Sequence, residues 1–219
     1  MEKTEELQKK KHIVVEYFEA IVIALILAFF IREVFVQAYK IPSGSMKDTL
    51  LIGDHLLVSK MSYGIKIPNE LPFTRTKLFD DIRFFSSIPE RFDIIVFKYP
   101  EDPSRDFIKR TIGLPGETVE VKNQVVYING KAIDDSAFVK HIEPPLPLMY
   151  SFPRDNFGPV TVPEGHVFMM GDNRENSQDS RYWGFLDVNM IKGKAIILYW
   201  SWDDEDSSVR WGRIGNLIH

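Results

Sequence analysis

The sequence contains no cysteine, so disulfide bonds, thiolate nucleophiles and cysteine-based zinc sites are excluded from the start. Histidine is scarce and scattered, and no pair of histidines has the spacing of an HExxH or similar metal motif. A catalytic triad built on histidine therefore has little support, and we expect neither a metal nor another cofactor. The five histidines are His12, His55, His141, His166 and His219.

The chain also lacks a concentration of charge of one sign. Its 27 basic and 31 acidic residues are interspersed and give a formal net charge of −4. Proteins that bind nucleic acids usually carry a basic stripe or patch, so nucleic acid is not expected as a partner. A length of 219 residues allows one sizeable domain, or a core domain with a small appendage, together with a short terminal segment.

One long, mainly apolar stretch lies near the amino terminus at residues 13–36, after the lysine-rich residues 1–12. At about 1.5 Å per residue, a helix of this length would cross a hydrocarbon layer of ~30 Å. The lysines before the stretch predict a cytoplasmic amino terminus. We therefore predict a cytoplasmic tail (residues 1–12), a single transmembrane anchor (residues 13–36) and an extracytoplasmic domain (residues 37–219).

A cleavable secretory signal is the competing interpretation of this stretch. The lysine-rich start, the apolar core and the run Val36, Gln37 and Ala38 loosely fit the pattern of such a signal. Arg32 and Glu33 count against it, because the region between the apolar core and the cleavage site is usually uncharged. An uncleaved anchor is favoured, and self-processing near Ala38 stays open.

From residue 39 onward, the pattern is that of short strands separated by turns. The 13 prolines, the 13 glycines and the many Val, Ile, Phe and Tyr residues predict a mainly β fold. A hairpin is expected around Lys122 and Asn123, and residues 134–165 are irregular and rich in proline. The predicted strands are residues 54–60, 92–99, 107–112, 118–121, 124–128, 167–170 and 194–200.

A serine and a lysine stand out as candidates for chemistry. Ser45 lies in a segment of small residues shortly after the apolar stretch, although such a segment alone is more often only a turn. Lys109 interrupts an apolar strand, and a serine nucleophile without a histidine needs another base. Burial lowers the pKa of a lysine from ~10.4 by up to several units. The competing interpretation is a strand lysine whose ammonium group extends into water.

The long polar loop at residues 171–184 is the third candidate site. Its density of hydrogen-bonding side chains beside tryptophan and glycine indicates a constructed loop. Arg181 and Asp179 could pair and fix the loop, so that a hydroxyl such as that of Ser177 orients the lysine amine.

In combination and in this order, these motifs closely resemble those of the bacterial type I signal peptidases, a family of peptidases with a serine-lysine dyad. PSGSM at residues 42–46 is similar to the nucleophile motif, and FIKRTIGLPGE at 107–117 is similar to the motif of the base. GDNRENSQDSRYWG at 171–184 is similar to the motif near the carboxyl terminus, and DIIVFKYPEDP at 93–103 is similar to the strand that leads to the base. The resemblance covers nearly the whole chain from the apolar stretch to Trp200.

The resemblance implies a serine endopeptidase that removes signal peptides from secreted preproteins at small-x-small sites through an acyl-enzyme intermediate. Ser45 would be the nucleophile and Lys109 the general base, while Ser43 and the Ser45 amide would form the oxyanion hole. Ser177 would orient Lys109. The other implied positions are Gly171, Asp179 and Arg181 for support of the loop, and Ile41, Met46, Leu50, Phe107 and Ile108 for the substrate pockets.

The resemblance also implies a β-rich catalytic core with a smaller inserted β subdomain at about residues 118–165. The protein would be a single-pass protein of the inner or plasma membrane, with preproteins and the lipid bilayer as partners, and we expect a monomer. The chain departs from the family pattern outside the dyad, with Asp48 in place of a common proline, Phe92 in place of glycine and Glu117 in place of aspartate.

Other functions remain possible at this point. A self-cleaving repressor with a serine-lysine dyad is disfavoured by the anchor and by the lack of a DNA-binding segment. A penicillin-binding enzyme is disfavoured because no Ser-x-x-Lys motif begins at Ser43 or Ser45. An anchored, non-enzymatic β domain that binds peptides would not need the polar loop at 171–184.

Overall fold

A computed structural model describes residues 2–66, 83–84, 87–139, 141, 143–150 and 152–219. The chain begins with the long helix α1 (Glu2–Val34), so the predicted anchor falls mainly within a helix and ends two residues later than the helix does. None of the helices in the described part of the chain is long and apolar enough to cross a membrane.

A large antiparallel sheet forms the main part of the fold. Its strand order is β1-β2-β13-β5-β6-β11-β12, and β14 pairs with β13. These strands are β1 (Val36–Lys40), β2 (Asp54–Ser59), β5 (Ile94–Tyr99), β6 (Asp102–Gly113), β11 (His166–Met170), β12 (Leu186–Asp187), β13 (Ile191–Asp203) and β14 (Ser208–Val209).

A second antiparallel sheet has the order β10-β7-β8-β9. Its strands are β7 (Thr118–Lys122), β8 (Val125–Ile128), β9 (Lys131–Ala132) and β10 (Phe157–Thr161). The two short strands β3 (Ile65–Lys66) and β4 (Arg83–Phe84) pair with each other. The second sheet occupies the region predicted as an inserted subdomain, and that division of the chain stays a prediction.

Short helices complete the described structure. One is the α-helix α2 (Ser180–Trp183), which Asp179 caps by accepting a hydrogen bond from the Arg181 amide. The single-turn 3₁₀ helices are Met61–Tyr63, Leu148–Tyr150, Arg174–Asn176, Val188–Met190 and Trp211–Arg213.

Strand β5 is buried on both faces. Successive side chains of a strand point to opposite faces of the sheet, and here both faces are covered by a core cluster. Ile94 and Val96 belong to a core cluster that also contains residues of the segment around Ser45. Ile95 and Phe97 belong to a cluster on the other face of the sheet. The nearly continuous apolar run of this strand is typical of such double burial. A third cluster joins the two sheets and contains Ile112, Val119, Val121, Val126, Ile128, Val162, Phe168 and Met170.

The mainly β prediction is confirmed, and each predicted strand overlaps an observed one. The hairpin turn between β7 and β8 is one residue later than predicted. Lys122 pairs with Val125, so Asn123 and Gln124 form the turn with φ of 48° and 71°. Two positive φ values are characteristic of a type I′ turn, whose twist matches that of the strands.

Strand β10 lies in residues 134–165, which we predicted to be irregular. The prediction was wrong here because proline was taken as a sign of a loop. Pro159 lies within β10, but this strand is at the edge of the small sheet and its pairing with β7 is interrupted between Phe157 and Val160. An edge strand tolerates a proline, since the missing N–H group can face away from the neighbouring strand.

Gly193 offers a test of the packing between the central strands. A Cβ atom at this position would lie 2.2 Å from the Ser59 carbonyl oxygen. We expect Gly193→Ala to lower the free energy of unfolding by about 1–3 kcal/mol, because the strands would have to move apart. Thermal unfolding in detergent measures this. The matched control is Gly212→Ala, where a Cβ would meet open space, and equal melting temperatures of the two variants would contradict the packing.

Candidate active site

Residues 41–53, the nucleophile segment, contain the predicted nucleophile Ser45 and form a tight loop that the core holds at both ends. The Ile41 amide donates to the Asp54 carbonyl oxygen at 2.8 Å, and the Gly53 amide donates to the Ile41 carbonyl oxygen at 3.1 Å. Met46 and Leu50 are completely buried in the same core cluster as Ile41. Ser45, next to Met46, is therefore half-buried at the edge of the core.

Lys109 reaches this serine from the neighbouring sheet strand. It pairs with Ile95 across β5 and β6, and its side chain is only 3% exposed. Lys109 Nζ lies 2.6 Å from Ser45 Oγ and donates a second hydrogen bond to the Ile108 carbonyl oxygen at 3.0 Å. The predicted nucleophile and base are thus within hydrogen-bond distance across 64 residues of sequence.

Burial lowers the pKa of Lys109 to about 8, because a charged amine loses its hydration there. The negative charges of Asp179 and Asp172 act in the opposite direction and keep the pKa from falling further. Since an ordinary lysine has a pKa of ~10.4, a much larger fraction of this amine is neutral near pH 8. A neutral amine has the lone pair that a general base needs.

The polar loop at 171–184 is held by a buried ion pair between Asp179 and Arg181. Arg181 contacts both carboxylate oxygens of Asp179 at 2.8 Å, and the two side chains are 1% and 0% exposed. Burial alone would raise the pKa of Asp179, but Arg181 and the Gly171 amide outweigh it and hold the pKa below its ordinary value. The predicted pairing of these two residues is therefore present in the structure.

Gly171 lies where the loop touches the nucleophile segment. A Cβ atom here would lie 2.3 Å from Ser177 Oγ and 2.5 Å from the Ser45 carbonyl oxygen, so only glycine fits this approach. Asn173 stabilises the same contact. Its backbone amide donates to the Ser45 carbonyl oxygen at 3.1 Å, and its side-chain Nδ2 donates to the Gly44 carbonyl oxygen at 3.0 Å. Sequence reasoning did not single out Asn173.

Ser177 and Ser43 have different positions relative to the dyad. Ser177 is 7% exposed, and its hydroxyl has no hydrogen-bond partner of good geometry among the described residues, although it lies near enough to help lower the pKa of Asp179. The hydrogen bond expected from Ser177 to Lys109 is thus not formed here. Ser43 is exposed, two residues before Ser45.

The predicted pocket residues fall into two groups. Ile41, Met46 and Leu50 are buried together, and Ile108 packs against them. The side chain of Phe107 points to the face of the sheet opposite that of Ile108, as neighbouring residues of a strand do. Its ring stacks on Tyr99 with 4.2 Å between the centroids. It shares its face of β6 with Lys109, whose Nζ atom lies 5.3 Å from the ring centroid.

A buried ion pair between Arg110 and Asp172 was also missed from the sequence. Two hydrogen bonds of 2.8 Å join the side chains, each of which is 1% exposed. Thr49 Oγ1 donates to the same carboxylate at 2.6 Å, which connects the pair to the nucleophile segment. The signal was available, because an arginine in an apolar strand is rarely buried without an opposite charge.

In the part of the chain that the structure describes, no three histidine, aspartate or glutamate side chains are grouped so as to hold a metal ion. The chemistry that the arrangement supports is acyl transfer by a hydroxyl group. A serine at hydrogen-bond distance from a buried amine is the arrangement expected of a serine peptidase with a lysine base, one of the known variants of the catalytic triad.

Comparison with known proteins gives the family. The family model described as signal peptidase, peptidase S26, matches residues 14–200. Signal peptidase I of Pseudomonas aeruginosa is 34% identical over 96% of this chain and 81% of its own length. The corresponding protein of Aquifex aeolicus is 36% identical over 86% and 83%, and the probable signal peptidase I-1 of Synechocystis is 38% identical over 90% and 83%. The chain belongs to the signal peptidase family.

Membership of this family gives the activity. The chain is a serine endopeptidase that removes signal peptides from secretory preproteins. The family resemblance inferred from the sequence motifs is therefore confirmed.

The pKa of Lys109 predicts how the reaction depends on pH. Because this pKa lies near 8, half of the amine is neutral at about pH 8 and the neutral fraction falls as the pH is lowered. We expect kcat/KM to rise with pH through about 8, since kcat/KM reports the free enzyme. Cleavage of a preprotein in detergent across the pH range measures this, with circular dichroism as a control for folding. A midpoint at pH ~4, the ordinary range of a carboxylate, would contradict lysine as the base.

Proposed function

We propose that Ser45 is the nucleophile and Lys109 the general base in the removal of signal peptides by this chain. The observation that carries the proposal is the 2.6 Å contact between the serine hydroxyl and an amine that is 3% exposed. Contact alone would not suffice, because a solvated lysine is protonated at neutral pH. Burial supplies the second requirement by lowering the pKa of the amine.

The reaction then proceeds in two halves. Lys109 takes the proton from Ser45 Oγ as the oxygen bonds to the scissile carbonyl carbon. The peptide C–N bond breaks, and the protonated Lys109 gives its proton to the departing amine of the mature protein. Water next attacks the ester on Ser45 with Lys109 again as the base, and the proton returns to Ser45 Oγ when the signal peptide leaves as an acid.

The oxyanion of each tetrahedral intermediate would be stabilised by the Ser45 amide and the Ser43 hydroxyl. Donors directed at the position where charge develops contribute most in a site with little water. The exposure of Ser43 leaves its hydroxyl free to turn toward a bound substrate. Its proximity in sequence to Ser45 supports this role.

The loop residues Gly171, Ser177, Asp179 and Arg181 would keep the dyad in place. Asp179 binds the Gly171 amide at 3.1 Å, and Gly171 rests against the Ser45 carbonyl oxygen. Ser177 would turn to orient the Lys109 amine once substrate is bound. Its hydroxyl is buried and has no hydrogen-bond partner of good geometry in the described part of the chain, which leaves it available for that bond.

The substrate pockets would be formed by Ile41, Met46, Leu50, Phe107 and Ile108. Three of these side chains are 2% exposed or less, and we expect the apolar surface that they support beside Ser45 to be shallow. Shallow apolar space admits small side chains and excludes large ones. This supports cleavage after small residues at the first and third positions before the cut.

Helix α1 would anchor the protein in the cytoplasmic or inner membrane, with its amino terminus in the cytoplasm and the catalytic domain outside. The support is that apolar side chains are exposed on all sides of the helix, whereas a surface helix usually has one polar face. Residues 37–219 would form the catalytic domain of a monomer, with residues 118–165 as the inserted subdomain. The exposed side chains of α1 include Val15, Tyr17, Phe18, Ile21, Ile23, Leu25, Ile26, Leu27, Phe29 and Ile31.

An anchor at this place would bring the nucleophile close to the membrane surface. Helix α1 ends at Val34 and strand β1 at Lys40, only five residues before Ser45. Preproteins keep their own apolar segment in the bilayer, so enzyme and substrate would meet in two dimensions. Confinement of both partners raises their effective concentration without additional contacts.

The dyad is tested by cleavage of a secretory preprotein in detergent. Ser45→Ala and Lys109→Met are expected to lower kcat by at least ~10³-fold, because neither half-reaction can proceed without both groups. Sequencing of the product should give a new amino terminus directly after a small-x-small site for the unmodified chain. If either variant cuts at the rate of the unmodified chain, the assignment of that residue fails.

The anchor is tested by washing membranes at alkaline pH. The unmodified chain should stay in the membrane pellet. A chain with Leu25→Arg and Ile26→Asp should move to the supernatant, since each charge at the centre of a span costs roughly 2.5–3.5 kcal/mol. The control is Met149→Arg, which adds a charge at a side chain that is 83% exposed in the main domain. Release of the unmodified chain by the wash would exclude an anchor that spans the bilayer.

A further inference from the structure

One segment of the small-sheet region reaches across to the active site. We call residues 134–139 and 141, which follow β9, the brace segment. Asp135 lies 2.7 Å from the guanidinium group of Arg174, and His141 lies 2.8 Å from Glu175. Arg174 and Glu175 both belong to the 3₁₀ turn Arg174–Asn176 of the polar loop at 171–184.

The brace segment also contacts the strand of the base. The ring of Phe138 lies 3.9 Å below the guanidinium carbon of Arg110, the neighbour of Lys109. The brace segment therefore contacts both the polar loop at 171–184 and strand β6.

Arg174 is the member of this set that most needs a partner. It is 3% exposed, and burial lowers the pKa of its guanidinium group, an effect that Asp135 opposes and nearby Arg181 reinforces. Asp135 and Arg174 form an ion pair at 2.7 Å, although the angle is not that of a hydrogen bond, so the guanidinium Nη atoms have no hydrogen-bond partner among the described residues. The negative charge of Asp135 is therefore the main compensation for the buried charge of Arg174.

Arg174 in turn holds the part of the loop that touches the dyad. Its Nε atom donates to the Gly171 carbonyl oxygen at 3.2 Å, and its own carbonyl oxygen accepts a hydrogen bond from Arg181 at 2.7 Å. Gly171 packs against the Ser45 carbonyl oxygen and against Ser177. A shift of the Arg174 guanidinium group would therefore move Gly171, and through Gly171 it would change the position of Ser45.

We propose that Asp135 is a positioning residue for peptide cleavage, which acts through Arg174 to hold Gly171 and Ser177 against Ser45. Without Asp135, the buried guanidinium group would lose its ion-pair partner and would turn toward water, because an unpaired charge is strongly disfavoured in the interior. The Gly171 carbonyl oxygen would then lose its partner. This proposal rests on the proposed dyad and gives the brace segment a part in the reaction.

The first experiment compares Asp135→Asn with Asp134→Asn in the full chain in detergent. Asp135→Asn should lower kcat about tenfold or more while KM changes less than about threefold, since misplacement of a catalytic group affects the chemical step more than binding. Asp134 is the matched control, because this neighbouring acid is exposed and, among the described residues, accepts hydrogen bonds from Ser136 alone. Equal kcat values for the two variants, with both folded by circular dichroism, would overturn the proposal.

A double-variant cycle shows whether Asp135 acts through Arg174. Arg174→Met removes the buried charge, so adding Asp135→Asn to it should cause no further loss of kcat. If Asp135→Asn alone does not fold, the comparison of kcat between Arg174→Met and the double variant still tests the proposal. A further loss in the double variant would overturn the proposal. Ser45→Ala measured beside them separates this question from the dyad itself, because only a failed dyad leaves that variant active.

Discussion

The burial of the Lys109 amine is the constraint on which the rest of the site depends. A lysine acts as a base only when it is neutral, and here the loss of hydration lowers its pKa to about 8. Every contact that keeps water away from the amine therefore contributes to its chemistry. The pairing of β5 with β6, the ring of Phe107 and the turn around Ser45 all serve this purpose.

The low pKa of Lys109 and its short contact with Ser45 could support catalysis only if the two side chains are held in place. Buried ion pairs fix the parts that carry them: Arg110 with Asp172, Arg181 with Asp179, and Arg174 with Asp135. Such pairs contribute little net stability, because desolvation offsets most of the attraction. Because an uncompensated buried charge is strongly disfavoured, they favour the arrangement of the loop in which each charge lies beside its partner. The carboxylates of Asp172 and Asp179 also keep the Lys109 pKa from falling further, so the same groups position and tune the proposed base.

The sequence predicted the strands well wherever an apolar pattern of the right length was bounded by turn residues. It failed where local chemistry was ambiguous. Pro159 indicated a loop but lies in an edge strand. Phe92, which stands where the family commonly has glycine, has a φ of 74°, a value that glycine adopts more readily. Its ring packs against Phe138 and its carbonyl oxygen accepts a hydrogen bond from Arg110, and these contacts help hold a conformation that its own side chain disfavours.

The sequence by itself determined the class of fold, the family and the identity of the candidate dyad, because these depend on residue types and their order along the chain. Only the tertiary structure decided which buried charge pairs with which. Arg110 and Asp172 are 62 residues apart, and Arg174 and Asp135 are 39 apart, so no local pattern connects them. The distance between Ser45 and Lys109 and the lowered pKa of the amine likewise follow from packing. Hydration is lost only when distant segments close around a group, and that depends on the whole fold.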